Sequence, residues 1–163
     1  MRTLFVGAGA TGGYFGGRLT EAGRDVTFLV RPARAAVLAE RGLRIQSPAG
    51  ESVIGVRTVT AASLEGPYDL IVLAVKSYGL AAAIADLLPA VGPETVIVPL
   101  LNGMRHIDAL AGTFGTARVY GGVCMIAATL TDEGDIAQLT GLHRLEYGPL
   151  DGGPDPRGAE PNL

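Results

Sequence analysis

Short blocks of consecutive apolar residues alternate along this chain with stretches whose apolar positions recur at helical spacing. The blocks stand at residues 4–6 (LFV), 25–30 (DVTFLV), 70–75 (LIVLAV) and 95–101 (TVIVPLL). A strand buried on both faces of a parallel sheet reads this way, because neither face has room for polar side chains. Between the blocks lie helix-like stretches at 10–22, ended by Gly23, at 33–41, ended by Gly42, and at 78–88, broken by Pro89 and Gly92-Pro93. A further helix carries Ile107, Leu110 and Phe114 on one face. Strands alternating with helices predict a doubly wound α/β fold with a mostly parallel sheet. The run at 70–75 belongs beside the first strand, where the strand order reverses and ligands settle at the carboxyl ends.

Two regions depart from that rhythm. Residues 43–46 and 52–59 alternate apolar with polar around the turn Ser47-Pro48-Ala49-Gly50, which predicts a hairpin inserted between the two halves of the sheet. After a short turn at 61–64, the main pattern resumes. Near the end, residues 118–127 read as a strand with Gly121-Gly122 inside it, and Thr131 to Gly134 as a turn. Residues 135–139 and 143–147 then predict an antiparallel pair around Thr140-Gly141. From Gly148 onward glycine and proline dominate, so the expected division is a domain over 1–150 and a linker or tail over 151–163.

The chemistry gathers where apolar blocks end. After the first block comes Gly7-Ala8-Gly9-Ala10-Thr11-Gly12, a G-x-G-x-x-G that opens a helix. Gly7 permits the tight turn, Gly9 lets a pyrophosphate approach the backbone, and Gly12 lets the helix pack closely on the strand. The same letters also occur in ordinary turns, but placed between a strand and a helix they point to dinucleotide binding, a Rossmann-type arrangement. Where the second strand ends, an NAD site would carry a carboxylate for the ribose hydroxyls. Arg31 stands there instead, followed by Pro32 and Arg34. A guanidinium pairs with a 2′-phosphate that a carboxylate would repel, so NADPH is the expected cofactor. The alternative is a solvated basic loop, and for Arg34 that is the stronger reading. Lys76 follows the third block, either capping it in solvent or touching cofactor phosphate or ribose. Asn102 follows the fourth, within an Asn-Gly pair that is either a plain turn or a site amide able to donate and accept. His106 and His143 read as surface or capping residues, and Cys124, in GGVCMIAA, as a small core residue.

Composition narrows the class. With 48% hydrophobic and 18% charged residues in 163, the chain is globular and not disordered. A net charge of −3 argues against a nucleic-acid partner, and no apolar run approaches the roughly 20 residues of a membrane span. A single cysteine permits no disulfide within the chain and fits a cytoplasmic location. No metal-ligand cluster stands out.

Together GAGATG at Gly7 to Gly12, Arg31, AVKSYG at Ala74 to Gly79, LLNGM at Leu100 to Met104 and GGVCMIAA at Gly121 to Ala128 resemble the ketopantoate reductase family. The resemblance covers residues 1 to about 150. It implies contacts to NADPH from Gly7, Ala8, Gly9, Ala10, Thr11, Gly12, Arg31 and Lys76, contacts from Asn102 to cofactor and substrate, and Ala127 lying along the cofactor. The implied reaction is hydride transfer to the C2 carbonyl of 2-dehydropantoate, a small 2-oxo acid, in pantothenate biosynthesis. It also implies a second, helical domain carrying the catalytic lysine, which these residues lack, so no catalytic residue is assigned in this chain. The expected outcome is a cofactor-binding domain with little turnover by itself, its open cleft wall covered by a missing domain or by a second copy. The alternatives are a reductase of another 2-oxo acid and a stand-alone nucleotide-binding or redox-sensing module.

Overall fold

A computed structural model describes residues 1–155. Five strands form the parallel sheet: β1 (Thr3–Val6), β2 (Val26–Leu29), β5 (Arg57–Val59), β6 (Tyr68–Leu73) and β7 (Val91–Pro99), in the order β5-β2-β1-β6-β7. Every pairing among them is parallel, and β1 lies between β2 and β6. The expected doubly wound α/β sheet is thus present, with its order reversing between β1 and β6.

Both faces of this sheet are buried, as the apolar runs require. Phe5, Phe28, Val72 and Val98 point into one core, while Leu4, Val6, Ile71, Leu73 and Ile97 point into the other. Helices α3 (Leu80–Leu87) and α4 (Arg105–Phe114) cover the second core through Leu87, Leu110 and Phe114. Helix α1 (Ala10–Glu21) covers the first, and behind it stands a second, mixed sheet.

That sheet runs β4-β3-β9-β8, from β3 (Leu43–Ser47), β4 (Gly50–Ile54), β8 (Tyr120–Leu130) and β9 (Ile136–Pro149). The expected hairpin exists as β3 and β4, but it closes at Ile54. Residues 57–59, expected in the same hairpin arm, leave it and pair with β2 as the edge of the parallel sheet. Gly55 supplies the break, and polar–apolar alternation fits an edge strand as well as a hairpin. The antiparallel pair expected around Thr140-Gly141 does not form. Residues 136–149 are one strand paired with β8, and the register skips between Ile126 and Ala128, so residues 139–142 bulge out opposite Ala127. The alternation on either side of Thr140-Gly141 is real, but both arms find β8 as partner instead of each other. Strand β9 also extends to Pro149, past the expected start of the tail, and residues 156–163 of that tail lie outside the described residues.

Helix α1 is the layer shared by the two sheets, which explains its four interior glycines. A Cβ at Gly16 would lie 2.6 Å from the Phe28 ring, at Gly13 2.5 Å from Ile136, and at Gly17 2.7 Å from Leu43. Glycine weakens a helix interior by about 1 kcal/mol per residue. Here it lets both sheets meet the helix backbone.

Helix α2 (Pro32–Arg41) starts with proline in its first turn and stops at Gly42, whose φ of 71° few other residues adopt. Its buried Leu38 joins the first core.

Candidate functional site

Strands β1, β2 and β6 end side by side, and their carboxyl ends open onto a cleft of about 620 Å³. Gly7, Ala8, Gly9, Arg31, Arg34 and Lys76 line it. The loop after β1 folds as its glycines foretell. Gly7 has φ 97°, and a Cβ there would press within 3.2 Å of the Ala74 carbonyl oxygen. At Gly12 a Cβ would meet the Gly7 carbonyl oxygen at 2.4 Å and the Ala74 side chain at 2.7 Å, so this glycine seals the helix against β1 and β6. Gly9 is different: nothing lies within 4 Å of a Cβ placed there. The backbone at Gly9 therefore borders open space, as a pyrophosphate requires.

Gly9 is also the N-cap of α1, with no side chain capping it and no acidic residue in the first turn. The first N–H groups of the helix have no intrahelical partner, and they carry the positive end of its dipole. With Arg31, Arg34 and Lys76 set against one lining carboxylate among the described residues, Asp86, the cleft favours an anion. The residues present thus fit a dinucleotide.

The cleft does not gather every residue expected in it. Gly7, Ala8, Gly9, Arg31 and Lys76 line it, while Ala10, Thr11 and Gly12 stand just behind in the first turn of α1. Asn102 is exposed beyond the end of β7, on the same sheet edge but outside the lining. Its neighbour Gly103 makes the turn into α4 with φ 84°. Ala127 is half-buried on β8 opposite the bulge, three residues before Leu130, which does line the cleft.

Arg34 corrects the solvated reading. It is half-buried, and its guanidinium donates from Nε and Nη2 to the Ala8 carbonyl (3.2 and 3.0 Å) and from Nη1 to the Gly134 carbonyl (2.8 Å). Burial pulls its pKa downward, partly offset by Asp135. His106 is a second correction: only 7% exposed, it sits in the first turn of α4, and burial lowers its pKa below the ordinary 6.5. Helical periodicity places residues 106, 110 and 114 on one buried face, a signal that was available beside Leu110 and Phe114. His143 is exposed as expected, and Cys124 packs against the first core, where burial raises its thiol pKa.

The lining also holds residues that the motifs did not single out. Tyr78, 86% exposed, stands at the rim beside Lys76, and Asp86 and Leu130 complete the walls. Tyr78 lies within the quoted AVKSYG, whereas nothing local marks Leu130, which the second sheet delivers. Among the described residues no cluster of three or more metal-ligating side chains occurs, and no helix is long and apolar enough to cross a membrane.

A family model described as ketopantoate reductase PanE/ApbA matches residues 3–152. An uncharacterized oxidoreductase, YkpB, of Bacillus subtilis is 41% identical over 152 residues, which cover 93% of this chain and 50% of that protein. A 2-dehydropantoate 2-reductase of Mesorhizobium japonicum is 35% identical over 105 residues, 64% of this chain and 32% of the relative. Among solved structures, 2-dehydropantoate 2-reductase from Geobacter metallireducens superposes with a TM-score of 0.81 at 31% identity, over 91% of this chain and 49% of that one. D-mandelate dehydrogenase with NADH and anilino(oxo)acetate superposes with a TM-score of 0.85 at 28% identity, over 93% of this chain and 50% of that one. The chain thus spans half or less of the length of each relative.

Proposed function

Because the chain belongs to the ketopantoate reductase family of oxidoreductases, we propose that it is the NADPH-binding domain of a reductase acting on a small 2-oxo acid, with 2-dehydropantoate as the substrate. The observation that carries this reading is Gly9 facing open space at the uncapped N-terminus of α1, with Arg31 on the rim of the same cleft. Bound there, the nicotinamide supplies a hydride to the carbonyl carbon.

The chain's own residues hold and orient. The N–H groups of the first turn of α1, from Ala10, Thr11 and Gly12, receive the pyrophosphate, and Gly7, Ala8 and Gly9 give it room. Arg31 takes the 2′-phosphate, and Lys76 balances phosphate charge from the neighbouring strand end. Asn102 offers an amide to the nicotinamide end and to the substrate, and Ala127 lies along the cofactor. A proton for the developing alkoxide comes from outside these residues: Lys76, the sole lysine of the sequence, is committed to the cofactor. A cytoplasmic location agrees with this cofactor.

D-mandelate dehydrogenase with NADH favours a second reading, a reductase of a different 2-oxo acid using NADH. Titrating NADPH and NADH into the chain and into Arg31→Ala separates the two. NADPH should bind about ten- to a hundredfold tighter than NADH, the worth of one charge-assisted pair, and Arg31→Ala should erase the difference. Equal affinities in the unmutated chain would reject NADPH preference.

A further inference from the structure

Resting on the reading of this cleft as a dinucleotide site, we propose that Arg34 is a positioning residue: it sets affinity for the part common to NADPH and NADH, by locking the glycine-rich loop to the turn between β8 and β9. Arg31 and Arg34 belong to one turn of chain, yet they are spent differently. Arg31 is exposed on the cleft rim. Arg34 gives three N–H donors to main-chain carbonyls, two converging on Ala8 and one reaching Gly134.

The bond to Ala8 matters because of peptide geometry. The Ala8 carbonyl and the Gly9 N–H share one planar, trans unit and point in opposite directions. Holding the oxygen therefore fixes the direction of the Gly9 N–H, at the residue whose surroundings are open for a pyrophosphate. Ala8 is itself only 4% exposed, so the unit is held from the protein side.

The other end of the lock is equally specific. Gly134 has φ +81°, a conformation that favours glycine, and a Cβ there would lie 2.8 Å from Arg34 Nη1, so the tip of the guanidinium rests directly against this residue. Arg41, two turns further along α2, donates to the Glu133 carbonyl at 2.9 Å and pairs with Asp135 at 3.3 Å. The first and last turns of α2 thus both hold residues 133–135. The strand entering that turn ends in Leu130, a wall of the cleft.

The test titrates NADPH and NADH by fluorescence into the full chain and into Arg34→Lys, Gly134→Ala and Arg31→Ala, with the folded fraction checked by circular dichroism. Arg34→Lys keeps the charge but not the fork, and Gly134→Ala strains the turn and crowds the fork from its other end while Arg34 itself is kept. Both should weaken the two nucleotides by the same factor, about tenfold or more, leaving their ratio unchanged. Arg31→Ala should weaken NADPH alone. Unchanged affinities in folded Arg34→Lys and Gly134→Ala would overturn the positioning role, leaving Arg34 merely structural. Selective loss of NADPH in Arg34→Lys would overturn it too, making Arg34 a phosphate ligand. If the unmutated chain bound neither nucleotide, the dinucleotide reading itself would fall, and the positioning role with it.

Discussion

At the residue scale, two glycines of one motif are bound to different tasks. Gly9→Ala meets no atom within 4 Å, so it should cost about 1 kcal/mol or less of stability, the scale of an N-cap exchange. It should nevertheless weaken dinucleotide binding, because the new methyl fills space that the pyrophosphate needs. Gly12→Ala drives a Cβ onto the Gly7 carbonyl and Ala74, so it should lower the unfolding midpoint as well as binding. Thermal melts beside cofactor titrations distinguish the two patterns, and equal melts would refute the contrast. His106 gives a pH signature. Burial lowers its native pKa below the ordinary 6.5 of the unfolded chain, so its contribution is complete above that pH and declines as pH falls below it. Urea midpoints should drop between about pH 7.5 and 5.5, and the drop should shrink in His106→Phe. Carboxylates act lower: Glu21, held down by hydrogen bonds from Arg18 and then Ser52, matters only below its ordinary 4.5.

At the element scale, helix propensity and packing pull apart in a measurable way. Gly112, exposed in α4, has nothing within 4 Å of a Cβ, so Gly112→Ala should stabilise the chain by about 0.5–1 kcal/mol. Gly16→Ala gains the same propensity in α1, but its Cβ would sit against Phe28 and Phe5, both fully buried, and overpacking costs about 1–3 kcal/mol. Denaturant titrations should therefore move in opposite directions, and stabilisation by Gly16→Ala would reject the account of α1 as a shared layer. The glycine-rich sequence of α1 was legible as a phosphate loop but not as a helix wedged between two sheets, since only Gly7, Gly9 and Gly12 answer to a local motif. Gly13, Gly16 and Gly17 answer to Ile136, Phe28 and Leu43, which arrive from elsewhere in the chain. The same limit explains the strands. The runs at 70–75 and 95–101 are apolar enough to be placed from periodicity alone. The segments at 57–59 and 136–149 alternate, and alternation fixes a face without naming a partner. Arg31 and Lys76 could be read because each follows a strand end, whereas Arg34 depended on Gly134.

At the scale of the whole molecule, one sheet edge brings together loop, cations and cleft, and the cleft's lysine, Lys76, is the one that the proposed function commits to the cofactor. Turnover of 2-dehydropantoate by this chain should accordingly fall at least about a hundredfold below that of a two-domain relative, the usual loss without a general acid. NADPH oxidation followed by absorbance checks this, and comparable rates would locate a proton donor within these residues. The pairing of Arg34 with Gly134, a hundred residues apart in sequence, bears on the order in which the molecule assembles. Contacts between distant residues form late, because the intervening chain must first be brought round. A nascent chain that has not yet reached β8 holds the glycine-rich loop and all five parallel strands, but neither the lock on Ala8 nor the Leu130 wall. Competence to bind the dinucleotide should thus appear as a separate, later phase of refolding than burial of Phe5 and Phe28, so that cofactor present during synthesis can rescue only chains that already include the turn between β8 and β9.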